Sequence, residues 1–168
     1  ADEQTISKSY KDLFFDKNLP KKSLDYVLKR YIFHPRYLYQ NYLVFDPQSG
    51  NKSLLIAREV EHSGSRALRI IDFIGDVDVF GKLNNWLIFI TSKNCYEYVD
   101  ILCSGINQKL FEKSGFNLHL KNDNFIVPTY FEPFVDKNID IYFEKSHKDL
   151  IIFKGDSDGD RPNTVNGI

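Results

Sequence analysis

Between Arg36 and Ile74 the chain holds three β-rich runs separated by short turns, and this stretch constrains the fold more than any other. RYLYQNYLVF is rich in Tyr, Leu and Val and ends in the turn DPQSGN. SLLIAREVEH and RALRIIDFI follow, joined through HSGS. Successive strands with connections this short must run back and forth, which predicts an antiparallel meander.

After the meander the period changes. In GDVDVFGKLNNWLIFITSKN, Leu83, Trp86, Leu87 and Ile90 recur at helical spacing, with Asp76 or Asp78 as the expected cap. YEYVDILCSG predicts a strand, and INQKLFEKSGF a short helix closed by Gly115. NFIVPTYFEPF holds two prolines and reads as an edge strand or an extended segment. IDIYFEKSHKDLIIFKG reads as a closing hairpin around Ser146–Lys148. Ahead of the meander, SKSYKDLFFDKN and PKKSLDYVLKRYIF predict two helices. Ser23 is the expected N-cap of the second, and Pro35 stops it by excluding His34 from the helical region.

The order predicts a mixed α/β (α+β) domain with a mostly antiparallel sheet flanked by helices. A helical crossover adds one parallel strand pair. The expected organisation is a helical segment over 1–35, a core over 36–154 and an acidic C-terminal loop over 155–168.

The chain has 168 residues, enough for one domain with a substantial core. Fourteen Phe and ten Tyr fit a β-rich interior, and a net charge of -1 disfavours nucleic acid as a general partner. Apolar runs fall short of the ~20 residues of a membrane helix, so no membrane span is expected. Cys95 and Cys103, read as two points on one strand, would stand about 26 Å apart at ~3.3 Å per residue. That predicts reduced thiols and a cytoplasmic protein. The absence of Met leads to the expectation of a piece of a longer protein, with another domain of that parent as one partner.

Three groups of residues are candidates for chemistry. Asp72, Asp76 and Asp78 would form a carboxylate cluster at a strand end, able to take a proton from an amine; alternatively one caps a helix and the others are solvated. Strict alternation places Tyr96, Tyr98 and Asp100 on one face as a polar wall, with ordinary wet tyrosines as the bland alternative. In KGDSDGDRPN, alternate aspartates suggest a calcium loop, but counting from Asp156 puts Arg161 and Gly167 where Gly and Glu are needed. No metal is therefore expected. Asp156, Asp158 and Arg161 would instead line a cleft and bind the hydroxyls or amine of a sugar.

The element order, together with Phe111-Glu112-Lys113-Ser114-Gly115-Phe116, resembles the GCN5-related N-acetyltransferase (GNAT) superfamily over about residues 36 to 154. RYIFHPRYLYQNYLVF and FKGDSDGDRPN look like a GNAT-like subgroup associated with bacterial surface-polysaccharide gene clusters. The resemblance implies acetyl-CoA or another acyl-CoA as cofactor, with its pyrophosphate near Gly75, Gly81 and Lys82. It also implies an acyltransferase acting on an amino sugar or sugar nucleotide, with Asp72, Asp76 or Asp100 deprotonating the amine. Two departures oppose standard chemistry. IGDVDVFGKL sets Asp76 and Asp78 where phosphates would sit, and Phe111 stands where the family's Tyr supplies a hydroxyl. The alternative expectation is a non-catalytic GNAT-like domain that binds a partner domain or a glycan precursor.

Overall fold

The structure, a computed structural model, describes residues 2–9, 20–119, 124–127, 138, 142, 144, 146–157 and 160. It is mixed α/β, with a four-stranded, mostly antiparallel sheet, a small two-stranded sheet and flanking helices.

The meander forms as its turns dictate. Strands β1 (Gln40–Phe45), β2 (Lys52–His62) and β3 (Ser65–Gly75) pair antiparallel in sequence order. Strand β1 starts later than expected, because Arg36 to Tyr39 fold back around His34, whose Nδ1 accepts from the Arg36 and Tyr37 amides. His62 pairs with Ser65 across a two-residue turn in which Ser63 and Gly64 both have positive φ, as a tight hairpin requires.

The expected crossover helix is two pieces. A 3-10 segment, Val77–Lys82, leads into α3 (Asn84–Asn94) through Leu83. Strand β4 (Tyr98–Ile101) then lies parallel to β3, as predicted. The predicted strand does not stay in that sheet. Past Leu102 it continues as β5 (Cys103–Ser104), which pairs instead with β6 (Ile152–Phe153). Helix α4 (Gln108–Ser114) ends at Gly115 with φ +84. A side chain on Gly115 would also strike Asn84 Oδ1.

Ahead of the meander, α1 (Glu3–Ser9) begins with Asp2, whose carboxylate accepts from the Thr5 amide. Residues 10–18 of the expected first helix lie outside the described residues. Helix α2 (Leu24–Val27) has the predicted Ser23 cap and widens into a π-turn over Leu28–Ile32. Most of NFIVPTYFEPF and of the first arm of the closing hairpin also lies outside the described residues.

The sheet carries two different layers. On one face Leu55, Ala57, Leu68, Ile70 and Phe73 pack with Val79, Phe80, Leu83 and Ile90 beneath α3 and α4. On the other, Leu54, Ile56, Ile71 and Ile74 meet Ile6, Val27, Tyr31 and Tyr39 from the N-terminal helices and the approach to β1. Each fully buried Ile or Leu in these layers contributes about 1.5–3 kcal/mol.

One residue of slippage connects the layers to the polar groups. Ile56 pairs with Asp72 but Ala57 pairs with Ile70, so Ile71 is an extra residue in β3. The bulge brings Ile71 and Asp72 to the same face. Strict alternation would have sent Asp72 with Ile70 into the apolar layer under α3.

Candidate functional site

The polar residues of the second face gather into three connected groups, held by the N-terminal helices on one side and the segment after β6 on the other. At the centre is Asp72, with no exposed surface. Both its oxygens accept from Lys22 Nζ at 2.6 Å, Oδ2 accepts from the Tyr31 hydroxyl at 2.6 Å, and Oδ1 accepts from the Phe73 amide at 2.8 Å. Lys22 also pairs with Asp156 Oδ1 at 2.8 Å, while Asp156 Oδ2 accepts from the Phe153 amide.

Burial lifts the Asp72 carboxyl above the ordinary range, with Lys22 opposing and Asp156 adding to the rise. Burial alone would discharge Lys22, but Asp72 and Asp156 together hold its ammonium above the usual lysine range. Burial and the neighbouring Asp72 push the Tyr31 hydroxyl well up, so it remains a donor. A carboxylate enclosed on all sides by donors is an anchor, and has no lone pair facing a substrate.

The second group lies at the far end of the same face. Asp160, also without exposed surface, accepts from Arg58 Nη2 at 2.7 Å and from the Tyr39 hydroxyl at 2.6 Å. Arg30 donates to the Asp160 carbonyl at 3.1 Å and to the Tyr39 hydroxyl at 2.9 Å. Between the groups, Arg69 grips Asp100 with two nitrogens, Nε at 2.9 Å and Nη2 at 2.6 Å. Lys154 is buried nearby, and burial together with Arg69 brings its ammonium down to about 8.

Lys154–Asp156 form a 3-10 turn that carries the chain across this face. Gly155 makes the crossing possible. A Cβ there would come 2.4 Å from the Tyr31 hydroxyl and 3.0 Å from the Ile71 carbonyl, at the bulge. Residues 153 to 157 therefore act as a strap anchored by Asp156, and Asp160 is held at a second point on the same face.

The sequence-derived candidates separate. Asp72 lies under the strap, whereas Asp76 sits past the end of β3, accepting from Asn51 at 2.5 Å and capping the 3-10 segment through the Asp78 amide. The expected carboxylate cluster is thus split by the bulge and the strand end. Asp100 and Tyr98 share the strapped face, paired in register with Arg69 and Ala67. Tyr96 does not join them. It precedes β4, follows Cys95 in a left-handed conformation, and packs in the layer under α3, donating to Glu59 at 2.7 Å. Cys95 likewise terminates α3 and is exposed, so the two cysteines do not share a strand, and neither is in a disulfide. Asp156 faces Lys22, and Asp158 and Arg161 lie outside the described residues.

The loop expected to hold a coenzyme pyrophosphate does not fit one. Gly75 has φ +122, and a Cβ there would meet the Lys52 carbonyl at 2.7 Å, so this glycine serves the close approach of β2. Gly81 packs against Leu110 of α4, and Lys82 donates to Gln48 on the surface. The Asp78 and Val79 amides bond to Asp76, and the Asp76 carboxylate adds negative charge where a phosphate would need donors. Phe111 packs edge-on against Phe80, with ring centroids 5.1 Å apart. Among the described residues no group of His, Cys, Asp and Glu is arranged to hold a metal, and no helix is long and apolar enough to cross a membrane.

Comparison with protein-family models, curated proteins and solved structures found no match to the chain. Sequence reasoning missed Lys22, Arg30, Arg58, Arg69, Tyr39 and Asp160 as members of these groups. The available signal was the pair Arg58 and Arg69 inside otherwise apolar strands, since a charge buried in a strand needs a partner.

Proposed function

We propose that the chain is a GNAT-like domain that works by binding, to a partner domain or a glycan precursor, and not by acetyl-CoA-dependent transfer. The supporting observation is the state of the three carboxylates expected to act as bases. Asp72 is filled by Lys22, Tyr31 and the Phe73 amide, Asp76 is a helix cap, and Asp100 is gripped by Arg69. A general base needs a free lone pair within reach of the substrate proton. Phe111 offers no hydroxyl to a leaving thiolate.

A second reading, acyl transfer to an amino sugar or sugar nucleotide, is favoured by the element order. The meander, the crossover helix and the parallel β3–β4 pair are in the order that the resemblance implies. Thermal unfolding with acetyl-CoA and with coenzyme A separates the two. A ligand at a hundred times its Kd adds about 2.7 kcal/mol of stability. The binding reading expects no rise in Tm at millimolar coenzyme; a rise of several degrees, with turnover of an amino-sugar acceptor, overturns it.

A further inference from the structure

The group around Asp160 has more positive than negative charge. The charges that act on His34 are Arg30, Arg58 and Arg36 against Asp160, and burial with Arg30 and Arg58 lowers the His34 imidazole below its usual range. Arg58 lies over the Tyr37 ring at 4.1 Å and is gripped by Asp160 through Nη2 alone. Its Nε is buried and has no hydrogen-bond partner among the described residues. A guanidinium normally meets an oxyanion through a fork of two parallel N–H bonds, and here half of the fork is unused. Arg58 takes Oδ1 of the Asp160 carboxylate, the Tyr39 hydroxyl donates to Oδ2, and Arg30 stands 3.8 Å from Oδ2 while donating to the Asp160 carbonyl, so three donor groups surround one acidic residue.

We propose that Arg30, Tyr39 and Arg58 form a binding site for the phosphate group of a small ligand, and that Asp160 fills it as an internal substitute. A phosphate presents more oxygens and more charge than a carboxylate, so it can engage Nε and Nη2 of Arg58 together with Tyr39 and Arg30. Its entry displaces Asp160 and loosens the strap, whose remaining anchor is the Asp156–Lys22 pair. The site is on the face opposite α3, away from the Gly75–Lys82 loop, and does not depend on whether the domain transfers acyl groups.

The test uses calorimetric titration of the whole chain with inorganic pyrophosphate and, separately, acetate. Asp160→Asn removes the competing charge and is expected to tighten pyrophosphate binding at least tenfold over the native chain. Arg58→Gln in the Asp160→Asn background is expected to abolish it. Equal binding by the native chain and Asp160→Asn, or binding that survives Arg58→Gln, overturns the proposal, as does acetate binding as tightly as pyrophosphate. If Asp160→Asn fails to fold, hydrogen exchange on the native chain decides. Saturating pyrophosphate should speed exchange at the Phe153 and Ser157 amides, and unchanged exchange sinks the idea. Coenzyme A carries phosphates, so any coenzyme-induced Tm shift lost in Arg58→Gln belongs to this site, and a shift that remains belongs to the acyl-transfer reading.

Discussion

The two faces of one sheet are built by opposite means. Under α3 and α4 the strands present Leu55, Leu68, Ile70 and Phe73 to a layer that includes Phe80 and Leu83. Across the same strands, Arg58, Arg69 and Asp72 meet Lys22, Arg30, Tyr31, Asp156 and Asp160. The first face is non-directional and tolerates exchange of similar volumes. The second also depends on directional hydrogen bonds between buried charges, so loss of a single partner strands a charge away from water. Apolar packing on both faces supplies net stability, and the charged groups of the second face fix where the strap lies.

Removing one charge should therefore hurt as much as emptying the core. Asp72→Ala leaves Lys22 and Tyr31 without their shared acceptor, and a loss of about 3–5 kcal/mol in urea unfolding is expected. Phe80→Ala on the opposite face should cost about 3–5 kcal/mol by cavity formation. The contrast appears in conservative changes. Phe80→Leu is expected to cost clearly less than Phe80→Ala, whereas Asp72→Asn should recover little, because the buried Lys22 keeps its charge.

Lys154 offers a sharper test through pH. Its folded pKa of about 8 lies below the ordinary lysine value of about 10.5. The unfolded chain thus binds more protons between these values, so this residue makes stability rise as pH climbs from about 8 toward 10.5. Below pH 8 the cost of the buried cation is fully present. Lys154→Met is expected to raise stability at pH 7 by up to roughly 3 kcal/mol, at about 1.4 kcal/mol per pKa unit, and to flatten the profile above pH 8. An unchanged pH profile would show that the ammonium is better solvated than its burial implies.

Gly155→Ala tests the crossing of the strap. The added methyl must displace the Tyr31 hydroxyl or the β3 backbone, and about 1–3 kcal/mol of destabilisation is expected. The smallest effect belongs to Asp25 and Lys29, an exposed pair one helical turn apart at 2.9 Å. Asp25→Ala should change stability by less than about 0.5 kcal/mol, and a larger loss would remove the contrast between exposed and buried ion pairs.

Much of the fold is legible in the chain because its signals are local. The turns DPQSGN and HSGS, the Ser23 cap, Gly115 after α4 and the helical stripe from Leu83 to Ile90 each specify their neighbours through backbone geometry. These determine a meander, a crossover and a parallel strand, and hence the class of fold. The site was far less legible. Asp72, Asp76 and Asp78 are close in sequence, but one extra residue in β3 turns Asp72 to the opposite face from Ile70, and the strand end separates Asp76. Tyr96 and Asp100 part because Tyr96 lies ahead of β4, which begins at Tyr98, so the alternation of that strand does not extend to it.

The acidic stretch after β6 shows the division most clearly. Sequence alone established that its spacing does not match a calcium loop, and that an apolar strand delivers it to the sheet. Only the tertiary structure decided that the half-buried Asp156 and the fully buried Asp160 are anchors, because their partners, Lys22, Arg30, Tyr39 and Arg58, lie more than a hundred residues earlier. A side chain's charge is written in the sequence; whether that charge meets water or an arginine depends on which distant segments the packed sheet brings together.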